Sequence, residues 1–190
     1  MSIKKAATPV LSTQRKMDLI KKDGIPVNNA GLVLLNGYIK MLFERLALLS
    51  ANAAFLTPDA QFNAIQYLQF LATGTNDTGK DVLALNKVIC GVSLLMPVKH
   101  DLVFSDTNKE LIDGLIKAAI SHWPQIGQSS VDSFRGNWLL RDGILVEYAD
   151  KWELTVEKKA YDILIAQSPF SFSVIKYPWM DKPIHVNWPF

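Results

Sequence analysis

Cysteine is almost missing from this chain of 190 residues, in which Cys90 is the single example. One cysteine excludes an intramolecular disulfide framework and argues against a metal site built from thiolates. No apolar run reaches the roughly 18 residues that a transmembrane helix needs, and the polar amino terminus lacks the apolar core of a signal peptide. We therefore expect a soluble, cytoplasmic protein that does not insert into a membrane.

An excess of one charge is also missing, because 20 basic side chains stand against 18 acidic ones. The resulting net charge of +2 argues against a dedicated nucleic-acid binder. Residues 1–27 differ from the rest, since they carry six basic side chains and only two acidic ones. This composition predicts a flexible basic N-terminal arm or linker over 1–27, followed by a single globular domain over 28–190. An arm that docks on an acidic partner surface is the alternative.

Residues that could support catalysis or metal binding do not cluster in the sequence. His100, His122 and His185 are far apart, and none belongs to an HExxH or His-x-His pattern. The segment 74–80 looks like a phosphate-binding loop, but Asp81 stands where a magnesium-binding hydroxyl should follow the lysine. We therefore expect no metal, no cofactor and no enzymatic activity.

Helical spacing of apolar residues covers much of the chain, which is 49% hydrophobic and can therefore form a core. Thr57 and Thr107 have the spacing of N-cap residues, and Gly74 can end the helix that Thr57 begins. The pattern predicts four to five helices, which run from Gly31 to about residue 49, from Thr57 to Gly74, from Asp81 to Cys90, from Thr107 to Trp123, and from Ser129 or Ser130 to Gly143.

The period changes to two after residue 143, which indicates strands. Alternation over 144–148 and 152–156, on both sides of a short polar loop, predicts a β-hairpin whose Trp152, Leu154 and Val156 face inward. Residues 172–177 and 184–188 read as short strands, whereas 161–165 fit a strand or a helical turn equally well. The predicted fold class is α+β, mainly helical, with a small C-terminal antiparallel β-hairpin or sheet.

Three groups of segments, taken together and in order, resemble the conserved C-terminal region of the tape-measure proteins of contractile injection systems, which are phage-tail-like bacterial devices. Each segment is short and weakly specific, and the specificity comes from their order over roughly residues 28–188. The segments are NAGLVLL at 29–35 with LFERL at 42–46, QYLQFLATG at 66–74 with LNKVICG at 85–91, and WELTVE at 152–157 with YDIL at 161–164, IKYPWM at 175–180 and VNW at 186–188.

The resemblance implies a non-catalytic structural or assembly module of such an injection particle. It implies docking to tail-tube, spike or baseplate subunits, assembly in the cytoplasm, and a place in the finished particle. A homo-oligomer is expected because such particles are symmetric. The alternative is a free-standing, transient assembly factor or adaptor that is absent from the mature device.

Length sets this chain apart from a molecular ruler. A helix gains about 1.5 Å per residue, so the arm over 1–27 would span only about 40 Å even if it were fully helical. The chain is therefore either the terminal module of a longer tape measure or a short relative that keeps the docking domain without the ruler.

Aromatic residues near the C-terminus are the predicted partner contacts, because Trp, Tyr and Met are favoured at protein interfaces. The prediction applies to whichever of them are exposed, since the others would form the domain core. The candidates are Tyr177, Trp179, Met180, Trp188 and Phe190.

Overall fold

The computed structural model describes residues 23–75, 83–98 and 102–190, which contain five α-helices and a five-stranded sheet. Most of the predicted arm, the loop after Gly74 and His100 lie outside these residues. The helices are α1 (Asn36–Arg45), α2 (Pro58–Thr73), α3 (Ala84–Ile89), α4 (Asp106–Ser121) and α5 (Val131–Phe134). The strands are β1 (Ile25–Val27), β2 (Gly143–Glu147), β3 (Trp152–Val156), β4 (Val174–Ile175) and β5 (Ile184–Asn187).

Shorter helical segments connect these elements. A π-helical segment, Arg135–Leu139, continues α5, and 3-10 helices occupy Ala30–Leu35, Pro124–Ile126 and Ala160–Gln167. The last of these shows that the ambiguous segment 161–165 is helical. Within the described part of the chain, no helix combines the length and apolar character needed to cross a bilayer.

Several helix ends follow the sequence signals, but the first predicted helix ends at Arg45 and not near residue 49, and the last one ends at Leu139 and not at Gly143. Thr57 caps α2 through its hydroxyl, Gly74 ends α2 in the left-handed conformation at φ 72°, and Ser130 caps α5. The predicted cap at Thr107 is wrong, because the hydroxyl of Ser105 accepts the capping hydrogen bond and α4 has already begun at Asp106. Serine is also a favoured N-cap residue, and Ser105 lies two positions before Thr107.

The sheet is mixed, with strand order β1-β2-β3-β5-β4. The predicted hairpin of β2 and β3 is confirmed, and Leu145 lies opposite Leu154. The expectation of a purely antiparallel sheet is wrong, because β5 pairs parallel with β3 while β4 pairs antiparallel with β5. After β3 the chain passes through the 3-10 helix Ala160–Gln167, forms β4, and then returns as β5, which lies between β3 and β4. The period of a strand's residues does not predict such a connection.

Residues 25–27, at the end of the segment predicted as the arm, form a strand of the sheet. They form β1 at the margin of the sheet, where Ile25 pairs with Leu145 and Val27 pairs with Gly143. Pro26 between them has no N–H to donate, so it suits a strand with a partner on one side only.

One face of the sheet packs on the helices. Leu154 and Val156 are buried there, as alternation predicts, whereas Trp152 at the end of β3 is only half-buried. Behind this face, α2 forms the centre of the core, with a buried stretch from Ala64 to Ala72. The opposite face carries more exposed residues, including Ile144 and Thr155.

Candidate partner-binding surface

The five predicted contact residues lie in two separate places. Tyr177, Trp179 and Met180 form part of an aromatic cluster next to α3, while Trp188 and Phe190 lie at the end of the chain. Tyr177, Met180 and Trp188 are buried, and Trp179 is half-buried. Phe190, at 54% exposure, is the one exposed member of the set. The structure thus uses most of these side chains as internal packing.

Trp188 belongs to a buried charged cluster. Its indole Nε1 donates to Asp162 Oδ2 at 2.9 Å, and Arg141 donates to both carboxylate oxygens of Asp162 at 2.9 and 2.7 Å. Arg141 and Asp162 are both fully buried. The guanidinium of Arg141 lies over the rings of Trp188 and Tyr161, 5.1 and 5.5 Å from their centroids.

Two opposing effects act on the carboxyl of Asp162. Burial raises its pKa, while hydrogen bonds from Arg141, from the Lys159 backbone N–H and from Trp188 lower it. The net result is a pKa below the ordinary value of 3.8, so the side chain is ionised at neutral pH. Removing one partner of such a buried pair strongly destabilises the folded protein, because the other charge stays buried without a counter-charge. Trp188 therefore anchors the C-terminus to the fold.

Trp179 holds two loops in place. Its Nε1 donates to the carbonyl of Ile89 at 2.8 Å at the end of α3, and its ring packs on Phe55 with a centroid distance of 5.2 Å. Trp179 also stacks on Tyr177 at 4.9 Å, with 12° between the ring planes. Its carbonyl oxygen lies so close to Gly91 that a Cβ there would be 2.2 Å away. Gly91, at φ +68°, allows this approach.

Exposed apolar side chains occupy both loops that Trp179 holds. Leu56 follows Phe55 and is 55% exposed, and Leu95 and Met96, in the loop after Gly91, are 59% and 46% exposed. We call Leu56, Leu95 and Met96, together with Trp179, the Trp179 surface. A depression of about 410 Å³ adjoins it, bordered by Leu95, Met180, Trp152 and the ion pair of Lys182 with Glu147.

The contact residues predicted from the sequence include Trp179 but none of the exposed Leu56, Leu95 and Met96. The signal was present in the triplet Leu94, Leu95 and Met96, which precedes Pro97 and has neither helical nor strand periodicity. A run of apolar residues outside any regular element has no obvious place in a core. Such a run therefore indicates an exposed apolar loop.

Polar residues from the segments that carry the family resemblance meet inside the core. Asn29 donates to Asn86 Oδ1 at 2.7 Å and to Gln69 Oε1 at 3.3 Å, and Asn86 donates to the carbonyl of Ile65 at 3.1 Å. All three polar side chains are buried. These hydrogen bonds join three of the segments inside the core, although the Oδ1 of Asn29 has no partner among the described residues.

In the described ranges 23–75, 83–98 and 102–190, no group of three or more His, Cys, Asp or Glu side chains could hold a metal ion. Cys90 is fully buried, and burial raises the pKa of its thiol, which disfavours the reactive thiolate. The Nδ1 of His122 lies 2.6 Å from the hydroxyl of Tyr38, so this histidine has a structural hydrogen-bond partner.

Comparison with known proteins gives one match. The family model described as contractile injection system tape measure protein matches residues 2–188. No curated protein and no solved structure matches the chain. The family match covers the globular domain and also extends over most of the basic N-terminal segment.

Proposed function

This chain belongs to the contractile injection system tape measure protein family, and on that premise we propose that it serves the particle as a non-catalytic docking module. The proposed partners are tail-tube, spike or baseplate subunits, which the module meets during cytoplasmic assembly. The observation that carries this proposal is the family match over nearly the whole chain, combined with the exposed apolar residues around Trp179.

The shape of the described residues favours docking over measuring length. Their longest helices, α2 and α4, have 16 residues each. A helix of that length extends about 24 Å. The helices pack around one core instead of forming a rod, so this part of the protein is suited to binding a neighbouring subunit.

The Trp179 surface is the proposed contact. The loop that carries Leu95 and Met96 begins at Gly91, which packs against Trp179, and a hydrogen bond joins the Met96 N–H to the Ser93 carbonyl, so we expect little conformational entropy to be lost when a partner covers these side chains. Exposed apolar residues that lie together on a rigid frame mark protein interaction sites more often than scattered ones. Binding would bury Leu56, Leu95 and Met96 and the accessible part of Trp179.

The experiment is a quantitative intact-mass measurement of this chain in sheathed particles purified from the native host. We expect the wild-type chain at a fixed ratio to the tube subunit. The double variant Leu95→Asp/Met96→Asp should be depleted from particles at least about tenfold, because two charges would be buried in an apolar contact. Ile163→Asp, which changes an apolar residue of similar exposure in the 3-10 helix after β3, should be retained.

The result separates the two roles that the family allows. Stable presence in mature particles supports a resident module. A chain that binds assembly intermediates but is absent from finished particles would instead be a transient assembly factor or adaptor. Equal retention of the double variant and of Ile163→Asp would overturn the Trp179 surface as the contact.

A further inference from the structure

The face of the sheet that is turned away from the helices carries apolar side chains that remain in contact with solvent. Its residues alternate with the buried ones along each strand, and the strand register places them side by side. The large apolar side chains of this face include three that are exposed. We call it the outer face and define it by Ile144, Val146, Tyr148, Glu153, Thr155 and Val174.

The chain enters the sheet against this outer face. Gly24, which precedes β1, has φ +76°, and a Cβ built on it would lie 2.5 Å from Cγ2 of Ile144 and 3.1 Å from Cγ2 of Val146. The backbone at Gly24 therefore turns directly against two side chains of the outer face, in a conformation that favours glycine. Residues 1–22 lie outside the described part of the chain, and they are joined to the fold, through Asp23, at this point of the outer face.

Residues 17–22 have the length and the composition to cover the outer face. The distance from the first strand of the sheet to the last is four strand spacings, or about 19 Å. Six extended residues span about 20 Å. Met17, Leu19 and Ile20 are apolar and belong to this stretch. A segment tethered so closely meets the face at an effective concentration on the order of millimolar, so a modest apolar contact is enough to hold it.

Charge favours the same occupant. Residues 1–22 carry six basic side chains and one acidic side chain, a net charge of +5. On β3 the outer face presents the carboxylate of Glu153, which pairs with Lys151 at 3.0 Å, and alternation places Glu157 on the same side of the sheet. Among the described residues, Glu157 takes part in no ion pair within 4.0 Å. A basic segment is therefore attracted to this side of the sheet.

We propose that the outer face of the sheet is the binding site of the chain's own residues 17–22. Leu19 and Ile20 pack on Ile144 and Val146, while the basic side chains around them stay on the solvent side. The family match begins at residue 2, so it includes this segment together with the domain. The outer face is then an internal contact of the protein, and part of the arm predicted from composition belongs to the fold.

The contact does not depend on the docking function proposed above. The outer face and the Trp179 surface have no residue in common. Substitutions in residues 17–22 should therefore leave particle incorporation through the Trp179 surface intact, and failure of either proposal leaves the other standing.

The rate at which a maleimide modifies a cysteine at position 155 of the full chain tests the proposal. Thr155 is polar and lies on the central strand of the outer face, so Thr155→Cys reports the cover without changing the apolar contact. Adding Leu19→Asn/Ile20→Asn should raise the rate at least about tenfold, because two apolar side chains lose their favourable burial. Cys90 is fully buried, and peptide mass spectrometry assigns the modification to position 155.

Two controls complete the experiment. Ser12→Asn/Thr13→Asn makes a matched polar change earlier in the same segment and should leave the rate at position 155 unchanged. Ile163→Cys, in the 3-10 helix Ala160–Gln167, should react at one rate with or without the segment substitutions. All rates should be independent of protein concentration, since the contact lies within one chain. A rate at position 155 that Leu19→Asn/Ile20→Asn does not raise, an equal rise at position 163, or protection that weakens on dilution would overturn the proposal.

Discussion

Two regions of the molecule contain a tryptophan near the C-terminus: the buried cluster of Arg141, Asp162 and Trp188, here called the Asp162 cluster, and the Trp179 surface. They differ in what surrounds the indole. Trp188 donates to a carboxylate that is fully buried and paired with Arg141. Trp179 donates to a backbone carbonyl and lies among side chains that remain exposed, with Leu95 at 59%. Trp188 therefore serves the packing of the fold alone, whereas Trp179 packs against loops whose apolar side chains remain exposed.

The difference shows how two similar residues can be assigned to different roles. The buried pair of Arg141 and Asp162 is closed off from any partner, and removing either member would leave an uncompensated buried charge. A half-buried aromatic residue that fixes exposed apolar loops contributes less to stability and more to binding. Substitutions in the two regions should therefore separate unfolding free energy from particle incorporation.

The largest expected effect is that of Asp162→Asn. It keeps the volume of the side chain but leaves the guanidinium of Arg141 buried without a counter-charge, which should lower the free energy of unfolding by about 3–5 kcal/mol. Guanidinium chloride denaturation measures the change. Glu44→Gln, which breaks the exposed pair of Glu44 with Lys40, is the matched control and should change stability by less than about 1 kcal/mol. Equal effects would contradict the assignment of the cluster to stability.

A matched pair of tryptophan substitutions sharpens the comparison. Trp188→Phe removes a hydrogen bond to a charged acceptor and should cost about 2 kcal/mol, whereas Trp179→Phe removes one to a neutral carbonyl and should cost about 1 kcal/mol. Both variants keep an aromatic ring at the position. Denaturant titrations measure the loss of unfolding free energy in each variant. A larger loss for Trp179→Phe than for Trp188→Phe would contradict the assignment of Trp188 to the more stabilising hydrogen bond.

Acid should weaken the Asp162 cluster selectively. The pKa of Asp162 is lowered in the folded state, so its ionisation stabilises the fold above the ordinary aspartate value of 3.8, and this contribution is lost as the pH falls through the folded-state pKa. Each unit of lowering corresponds to about 1.4 kcal/mol. Below pH 4 the unfolding free energy of the wild type should therefore decline more steeply than that of Asp162→Asn. Parallel curves would show that Asp162 does not carry this dependence.

The smallest expected effect on stability belongs to Leu95→Asp/Met96→Asp. Both side chains are largely exposed, so the unfolding free energy should change by no more than about 0.5 kcal/mol. The same variant should show the large loss of particle incorporation described above. A destabilisation of several kcal/mol would mean that this loop belongs to the core, and depletion from particles would then no longer indicate a lost contact.

Local signals in the sequence predicted the elements of the fold well. Thr57 and Gly74 mark the ends of α2, and alternation around Leu145 and Leu154 gives the hairpin with its inward face. These signals work because capping and strand alternation depend on neighbouring residues. The resemblance to tape-measure proteins is confirmed by the family match, and the helical and strand composition agrees with the α+β class.

The pairing of segments that are distant in the sequence could not be predicted from local patterns. The parallel alignment of β5 with β3, and the placement of Ile25–Val27 against β2, depend on how distant segments pack. The buried pairing of Arg141 with Asp162 joins residues 21 positions apart and likewise leaves no periodic trace. For the candidate surface, composition indicated aromatic residues, but the burial of Tyr177, Met180 and Trp188 is set by tertiary contacts.

Site-specific photo-crosslinking in assembled particles tests the central claim most directly. A photoreactive amino acid at position 95 would lie in the Trp179 surface, and one at position 163 would lie in the 3-10 helix Ala160–Gln167. The account predicts a crosslink from position 95 to a tube, spike or baseplate subunit and a much weaker one from position 163. Crosslinks from position 163 alone, or none from position 95 in particles that contain the chain, would contradict it.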